Sequence, residues 1–230
     1  MKLYLGVDGG GTGCRAAVAD GAGRILGRGE GAASNIMSDP DGARENILAA
    51  AEVLLVEQGP QAIKLADVAK AAGVVHANVI HHFGSIAGVE TALMERMIRQ
   101  LADKIIVGFN AQGASPGFGA QALFDAFEAK GAARLAAWLE LTGEGRRMTL
   151  VREVVDAVVQ TRLAREVGVE REKIIDFILL NIILAIGVGL FGPTLSELLG
   201  RPSGRARELA LELVVGRITA IRDERLGPGQ

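Results

Sequence analysis

Three observations predict a mainly α-helical protein with a helix-turn-helix head, an all-helical dimerising body and a short N-terminal antiparallel β meander. The first is Leu65 to Phe83, LADVAKAAGVVHANVIHHF, with the punctuation of two short helices around a glycine. The second is a series of apolar stretches at helical spacing, broken by Gly and Pro clusters, from about Ser85 to Arg225. The third is Lys2 to Glu30, where short extended segments alternate with glycines. A chain of 230 residues, 49% hydrophobic and 23% charged, can bury a sizeable core, which excludes disorder as its default state. Its net charge of -2 supplies no global attraction for nucleic acid, so any DNA binding must come from locally arranged contacts. A single cysteine, Cys14, cannot form an internal disulfide, and no charged start leads into an apolar run, which points to a reducing cytoplasm.

The N-terminal segments YLGVD, CRAAVAD and RILGRGE are separated by glycines at Gly9 to Gly13 and Gly21 to Gly23, the pattern of tight turns between short strands. The first turn, Asp8 to Thr12, has its own chemistry. Glycines let backbone amides approach a phosphate, Thr12 can donate a hydrogen bond, and Asp8 can hold magnesium through water. YLGVDGGGTGCRAAVADGAGRILGRGEGAASNI resembles the start of the N-acetylglucosamine kinase and BadF-type ATPase family, within the actin-like sugar kinase superfamily, to about Leu48. The resemblance implies a phosphate site at Asp8, Gly10, Gly11 and Thr12. It also implies a second phosphate loop, an adenosine-binding segment and a catalytic Asp, none of which has a counterpart after Leu48. Two readings stay open here: a hairpin or vestigial fragment, and a nucleotide site. A three-stranded sheet is marginal alone, so it is expected to dock on the helical body, pair with another chain or be poorly ordered.

Ser38 or Asp39 can cap the next helix, with Pro40 in its first turn, and Ile47, Leu48, Ala51, Leu54 and Leu55 recur at helical spacing to Glu57. The kinase-like likeness ends inside this helix. A different one begins there, as in a fusion or an artificial chimera.

In Leu65 to Phe83, two helices crossing steeply need a small residue at the contact, Ala69, and a left-handed turn residue four positions later, Gly73. Val74 and Val79 plug the crossing from the far side. AKAAGVVHANVIHHFGSIAGVETALM resembles the DNA-binding domain of the TetR family of transcriptional repressors, and the order of elements from about Arg44 onward is similar to that family's. The resemblance implies a double-stranded DNA operator as partner and places Lys64, His76, Ala77, Asn78, His81 and His82 at the DNA. Positions where the family usually carries Thr, Ser, Tyr or Lys read Lys64, Val75, Asn78, Ile80 and Ile86 here. Lys64 substitutes a charge for a hydroxyl, and Asn78 can still hydrogen-bond, including to an adenine edge. Val75 cannot cap a helix, and Ile80 and Ile86 cannot hold phosphate, which lowers affinity for any sequence. The three histidines have no carboxylate or thiolate at ligand spacing, so no metal is read there. His82 filling the crossing with His81 solvated, and both touching DNA, remain two readings.

GVETALMERMIRQLADKIIVGF is helical from Ser85, its cap, to about Phe109, and a loop from Gly113 to Gly119 follows. Further helices are expected at Gln121 to Glu128, Ala132 to Leu141, Arg147 to Val167, Glu170 to Gly189 and Arg205 to Arg225. Phe118, Phe124, Phe127, Trp138, Leu139 and Met148 read as core by spacing, while the resemblance implies a pocket there for a small apolar effector. Ile174 to Phe191 approaches the length of a membrane span, but Asp176 and Asn181 make that costly. With LALELVVGRITAIRDERL it is similar to the two C-terminal helices of the family's four-helix dimer interface, implying a homodimer through about residues 170–226 and no membrane. The expected domains are 1–38, 39–86 and 87–230. No cofactor and no catalytic residue is implied. Two other readings are a dimeric scaffold that has lost operator binding and a nucleotide-binding sugar-kinase-like protein.

Overall fold

The structure, a computed structural model, describes residues 2–10, 13–31, 40–111, 115, 117–145, 150–164 and 170–226. Near its start the chain forms three strands, β1 (Leu3–Gly10), β2 (Gly13–Asp20) and β3 (Ile25–Gly31). They form an antiparallel sheet in the order β1-β2-β3. Gly9 pairs with Cys14 and Gly10 with Gly13, so these glycines lie in strands. Backbone pairing satisfies peptide groups that a loop would leave to water. The β2–β3 turn is tied by Asp20, whose Oδ1 accepts from the backbone N–H of Ala22 at 2.9 Å and of Arg24 at 3.0 Å. Leu3, Tyr4, Ile25 and Leu26 on this sheet are exposed.

The helices are α1 (Pro40–Gln58), α2 (Leu65–Ala72), α3 (His76–Phe83), α4 (Ile86–Asn110), α5 (Phe118–Glu128), α6 (Ala132–Leu141), α7 (Leu150–Leu163), α8 (Arg171–Leu198) and α9 (Arg205–Leu226), with a 3-10 turn, η1 (Pro60–Ala62), after α1. The chain divides into two compact units, Met1–Ala49 and Ala50–Gln230. The proposed caps Ser38 and Asp39 of α1 lie outside the described residues. In the second unit the core takes Leu55, Val68, Val79, Val89 and Leu93 from the first helices and Phe124, Leu135, Leu139, Val159 and Val214 from the later ones, all fully buried. These residues sit at the helical spacings that their sequence displays.

Two elements run longer than their punctuation suggests. Helix α5 begins at Phe118 because that ring lies against Gly108 of α4, at a place where an added Cβ would meet ring carbons at 2.0 Å. Helix α8 passes through Gly189, Gly192 and Pro193 to Leu198. Gly189 does not stop the helix; it lets α8 approach Phe127 and Ala133, where a Cβ would stand 2.9 Å from the Phe127 carbonyl oxygen and 2.7 Å from the Ala133 Cβ. Gly192 does the same for α9, facing Ala206. Tertiary packing here overrides weak local helix propensity.

Helix α8 is long and apolar enough to cross a membrane by length and composition. One stripe of it, Ile174, Asn181, Ala185, Val188, Gly192 and Ser196, is buried in the body. Asn181 donates its Nδ2 to the Phe177 carbonyl at 2.6 Å. The opposite stripe, including Leu180, Ile183, Phe191, Leu195 and Leu198, is exposed, as are Leu209 and Leu213 of α9. Arg207 of α9 holds Asp125 and Glu128 of α5, and these hydrogen bonds keep its guanidinium more firmly protonated than usual.

Candidate nucleic-acid interface

The head is organised by backbone geometry at Gly73. This residue ends α2 in the left-handed region (φ 67, ψ 29), where a side chain would be strained. Its N–H reaches the Lys70 carbonyl at 3.2 Å, and the N–H of Val74 reaches that of Ala69 at 2.9 Å. Two otherwise orphaned carbonyls are thereby satisfied and the chain is turned into α3. Ala69 and Val79, 4% and 0% exposed, lie at the crossing as their spacing requires, and Val74 is half-buried.

Helix α3 is preceded by its N-cap residue Val75, which is extended and makes no side-chain cap hydrogen bond. A Val in place of Ser or Thr leaves the first N–H groups to other partners. Helix α4 behaves differently: the Ser85 Oγ accepts from the Gly88 N–H at 3.1 Å, as its sequence position predicts.

The outward face of α3 carries His76, Ala77 and His81, all exposed, and Asn78, half-exposed. None of these side chains hydrogen-bonds to the described residues. His82 differs. It is half-buried between His81, whose ring centroid is 5.3 Å away, and Phe83 at 6.3 Å, and its Nε2 is buried without a hydrogen-bond partner among the described residues. Lys64 forms the exposed N-cap residue of α2, and Lys70 is exposed in its last turn. Val75 and Ile80 are 64% and 41% exposed, so they present aliphatic surface beside the polar groups.

The other predicted sites are dispersed. Phe124 and Leu139 are fully buried, Phe127 is 8% exposed, and Phe118 and Trp138 are half-buried. Met148 lies outside the described residues. Of these, Phe127 lines a small cavity of about 10 Å³ with Met94, Met97, Ile98 and Leu101 of α4, Ala126 of α5 and Ala132 of α6. That volume is about one water's seat. Asp8 and Gly10 belong to β1, while Gly11 and Thr12 lie outside the described residues.

One carboxylate residue among the described residues is buried. Glu90 of α4, 6% exposed, accepts a hydrogen bond from the Trp138 indole Nε1 at 2.9 Å. Burial raises its pKa above the ordinary value of 4.5; the indole bond lowers it, and nearby Glu144 raises it again. Its signal was positional. Glu90 is followed by Leu93, Met94 and Met97, three, four and seven residues later, which places it on the apolar stripe of α4. No group of three or more His, Cys, Asp or Glu side chains suited to a metal occurs among the described residues.

Residues 47–92 match the family model of bacterial regulatory proteins of the tetR family, a span that holds α2, α3 and the start of α4. Among solved structures the chain resembles a TetR transcriptional regulator from Legionella pneumophila, with 19% identity and a TM-score of 0.52 over 74% of this chain and 94% of that one. It also resembles the fatty acid degradation regulator FadR from Bacillus halodurans, with 15% identity and a TM-score of 0.52 over 76% and 95%. A third is the multidrug binding protein EbrR complexed with imidazole, with 16% identity and a TM-score of 0.51 over 74% and 93%. At these identities the likeness is one of fold. No curated protein sequence matches the chain. The kinase-like resemblance of the N-terminal segment finds no support in these comparisons, since the family match begins at residue 47.

Proposed function

We propose that this chain is a helix-turn-helix transcriptional regulator of the TetR family, a repressor whose homodimer sets two copies of α3 in successive major grooves, about 34 Å apart. The head, residues 39–86, reads the operator through His76, Ala77, Asn78 and His81, with Lys64 on phosphate. The body, residues 87–230, dimerises and binds a small apolar effector that changes the separation of the heads and releases DNA. Such a regulator works in the cytoplasm, where the lone Cys14 stays reduced. The carrying observation is the outward face of α3, whose Asn78 carboxamide makes no hydrogen bond to the described residues and can pair with adenine N6 and N7.

The exposed apolar stripes of α8 and α9 support dimerisation over membrane insertion, because the opposite stripe of α8 is already buried in the body around Asn181 and two close-packed glycines. Fold neighbours named for multidrug binding and for fatty acid degradation support a small organic effector.

Selection from a random duplex library tests the reading. It should enrich a palindrome, and Asn78→Ala should weaken binding to that palindrome about 30-fold, or about 2 kcal/mol. The exposed aliphatics Val75 and Ile80 favour one other reading, a dimeric scaffold that keeps the fold and has lost its operator. In that case the selection recovers only salt-sensitive binding without sequence preference.

A further inference from the structure

The two outer strands of the N-terminal sheet differ in how they are protected. In the order β1-β2-β3, β1 and β3 each have one side unpaired among the described residues. Strand β3 is guarded in the ways that discourage strand addition. Its register against β2 shifts between Val18 and Ala19, where Leu26 is the extra residue, and Arg28 and Glu30 put charges between its glycines. Strand β1 has no such device. It pairs with β2 without a break from Leu3 to Gly10, and between Lys2 and Asp8 it carries no charge.

The direction of the outer hydrogen-bonding groups of β1 follows from the far end of β2. There the Asp20 N–H donates to the Arg24 carbonyl at 2.9 Å, so Asp20 turns its backbone groups toward β3. Such groups alternate sides along a strand, and the extra residue of the bulge belongs to β3, so Ala19 and Ala17 turn theirs toward β1. Their partners are Tyr4 and Gly6. Leu3, Leu5 and Val7 therefore direct their N–H and C=O groups outward, where a further strand can pair with them. Lys2 and Tyr4 are exposed, and a Cβ on Gly6 would meet nothing within 4 Å, which leaves room for an aromatic ring.

We propose that β1 is a self-pairing edge, which joins β1 of a second copy of this chain antiparallel about a two-fold axis at Leu5. That register is self-complementary. It pairs Leu5 with Leu5 and Leu3 with Val7 through their outward backbone groups. In the closer, non-hydrogen-bonded pairs it sets Tyr4 opposite Gly6 and Lys2 opposite Asp8 of the second copy, and the two-fold repeats both pairs. An aromatic side chain covers an open glycine, and the two charges are of opposite sign. With the axis at Gly6, glycine would face glycine and Tyr4 would face Asp8; with the axis at Tyr4, Lys2 would face Gly6. Of the three registers, the one at Leu5 alone satisfies both pairs. The pairing doubles a sheet that is marginal by itself, and it is independent of the operator reading.

The test is a disulfide confined to that register. In the full chain with Cys14→Ser, Tyr4→Cys and Gly6→Cys together set thiols across a non-hydrogen-bonded pair, a spacing that a disulfide spans. Within one strand the same two positions stand about 7 Å apart, too far to bridge. Mild oxidation should therefore give at least about tenfold more covalent dimer on a non-reducing gel than either single-cysteine chain gives. Adding Lys2→Asp should cut that yield about fivefold, and Asp8→Lys on top of it should restore the yield, a swap that works only if the two residues face each other. Leu5→Pro removes an outward N–H, leaves the bonds to β2 in place and should cut the yield about tenfold. Equal yields from the double- and single-cysteine chains would overturn the proposal, as would a yield indifferent to Leu5→Pro and the charge swap, or cross-linking to a foreign protein in place of the second copy. A measurement on the unaltered chain decides the matter without any variant. The outward N–H groups of Leu5 and Val7 should exchange with deuterium as slowly as the inner ones of Tyr4 and Gly6, and exchange at least about tenfold faster would refute the pairing.

Discussion

Gly73 in the head and Gly189 in the body both stand at helix junctions, and they are needed for opposite reasons. Gly73 has open space around its missing side chain but a left-handed backbone. Gly189 lies inside a helix, and a Cβ there would strike Ala133 and Phe127. The head is thus built on a conformation only glycine adopts easily, the body on surfaces that meet without a gap. A conformational glycine can be read from its neighbours, because a turn residue four positions after a small crossing residue has a fixed meaning. A steric glycine cannot, because its partners are remote in sequence. The same difference separates the two surfaces proposed to work. The face of α3 depends on a few polar atoms, that of α8 and α9 on extended apolar area.

The largest expected effect tests the apolar surface. Ile183→Glu puts a charge on the exposed stripe of α8 and should cost the proposed dimer about 3 kcal/mol or more, at least about 100-fold in dissociation constant, by analytical ultracentrifugation. A dimer unchanged by it would move the interface elsewhere. Gly189→Val comes next, because it overpacks the crossing of α8 with α5 and α6. It should destabilise the chain by about 2 kcal/mol in chemical denaturation, and adding Ala133→Gly should recover part of that loss. Gly73→Ala tests the conformational case: about 1 kcal/mol is expected, with no relief from trimming any neighbour and a smaller loss for Gly73→Asn.

The smallest expected effect concerns Glu90 and has the opposite sign. Burial raises its folded pKa above the ordinary 4.5, so the folded state resists ionisation. The stability tied to this group is fully present below its unfolded pKa and is lost as pH rises through the folded one. Glu90→Gln keeps an acceptor for the indole and carries no charge. Its thermal midpoint should exceed the parent's near neutral pH, and the two melting curves should converge under acid conditions. A difference that grows on acidification would mean the carboxylate, not the acid, is the form the fold prefers.

Much of the fold was legible in the sequence because its signals are local. Gly73 and Ala69 announce the helix crossing, Ser85 the start of α4, and the glycines near residues 10 and 22 the meander. The ends of α5 and α8 were misplaced because Phe118 and Gly189 are positioned by contacts with remote helices. The face of α3 could be read because residues on a short helix are either toward or away from the crossing, and His76, Ala77, Asn78 and His81 lie away from it. The Glu90–Trp138 bond was not legible. Its partners are 48 residues apart on different helices, and a glutamate in a charged helix looks like surface until its stripe is counted.

That bond has an optical consequence. Trp138 is the only tryptophan in the chain, and the hydrogen atom its indole can donate is committed to a carboxyl group at the joint between α4 and α6. Indole emission is sensitive to what accepts that hydrogen and to nearby charge. The unlabelled protein therefore carries its own fluorophore at this joint, and the colour of its emission follows whether α6 holds α4.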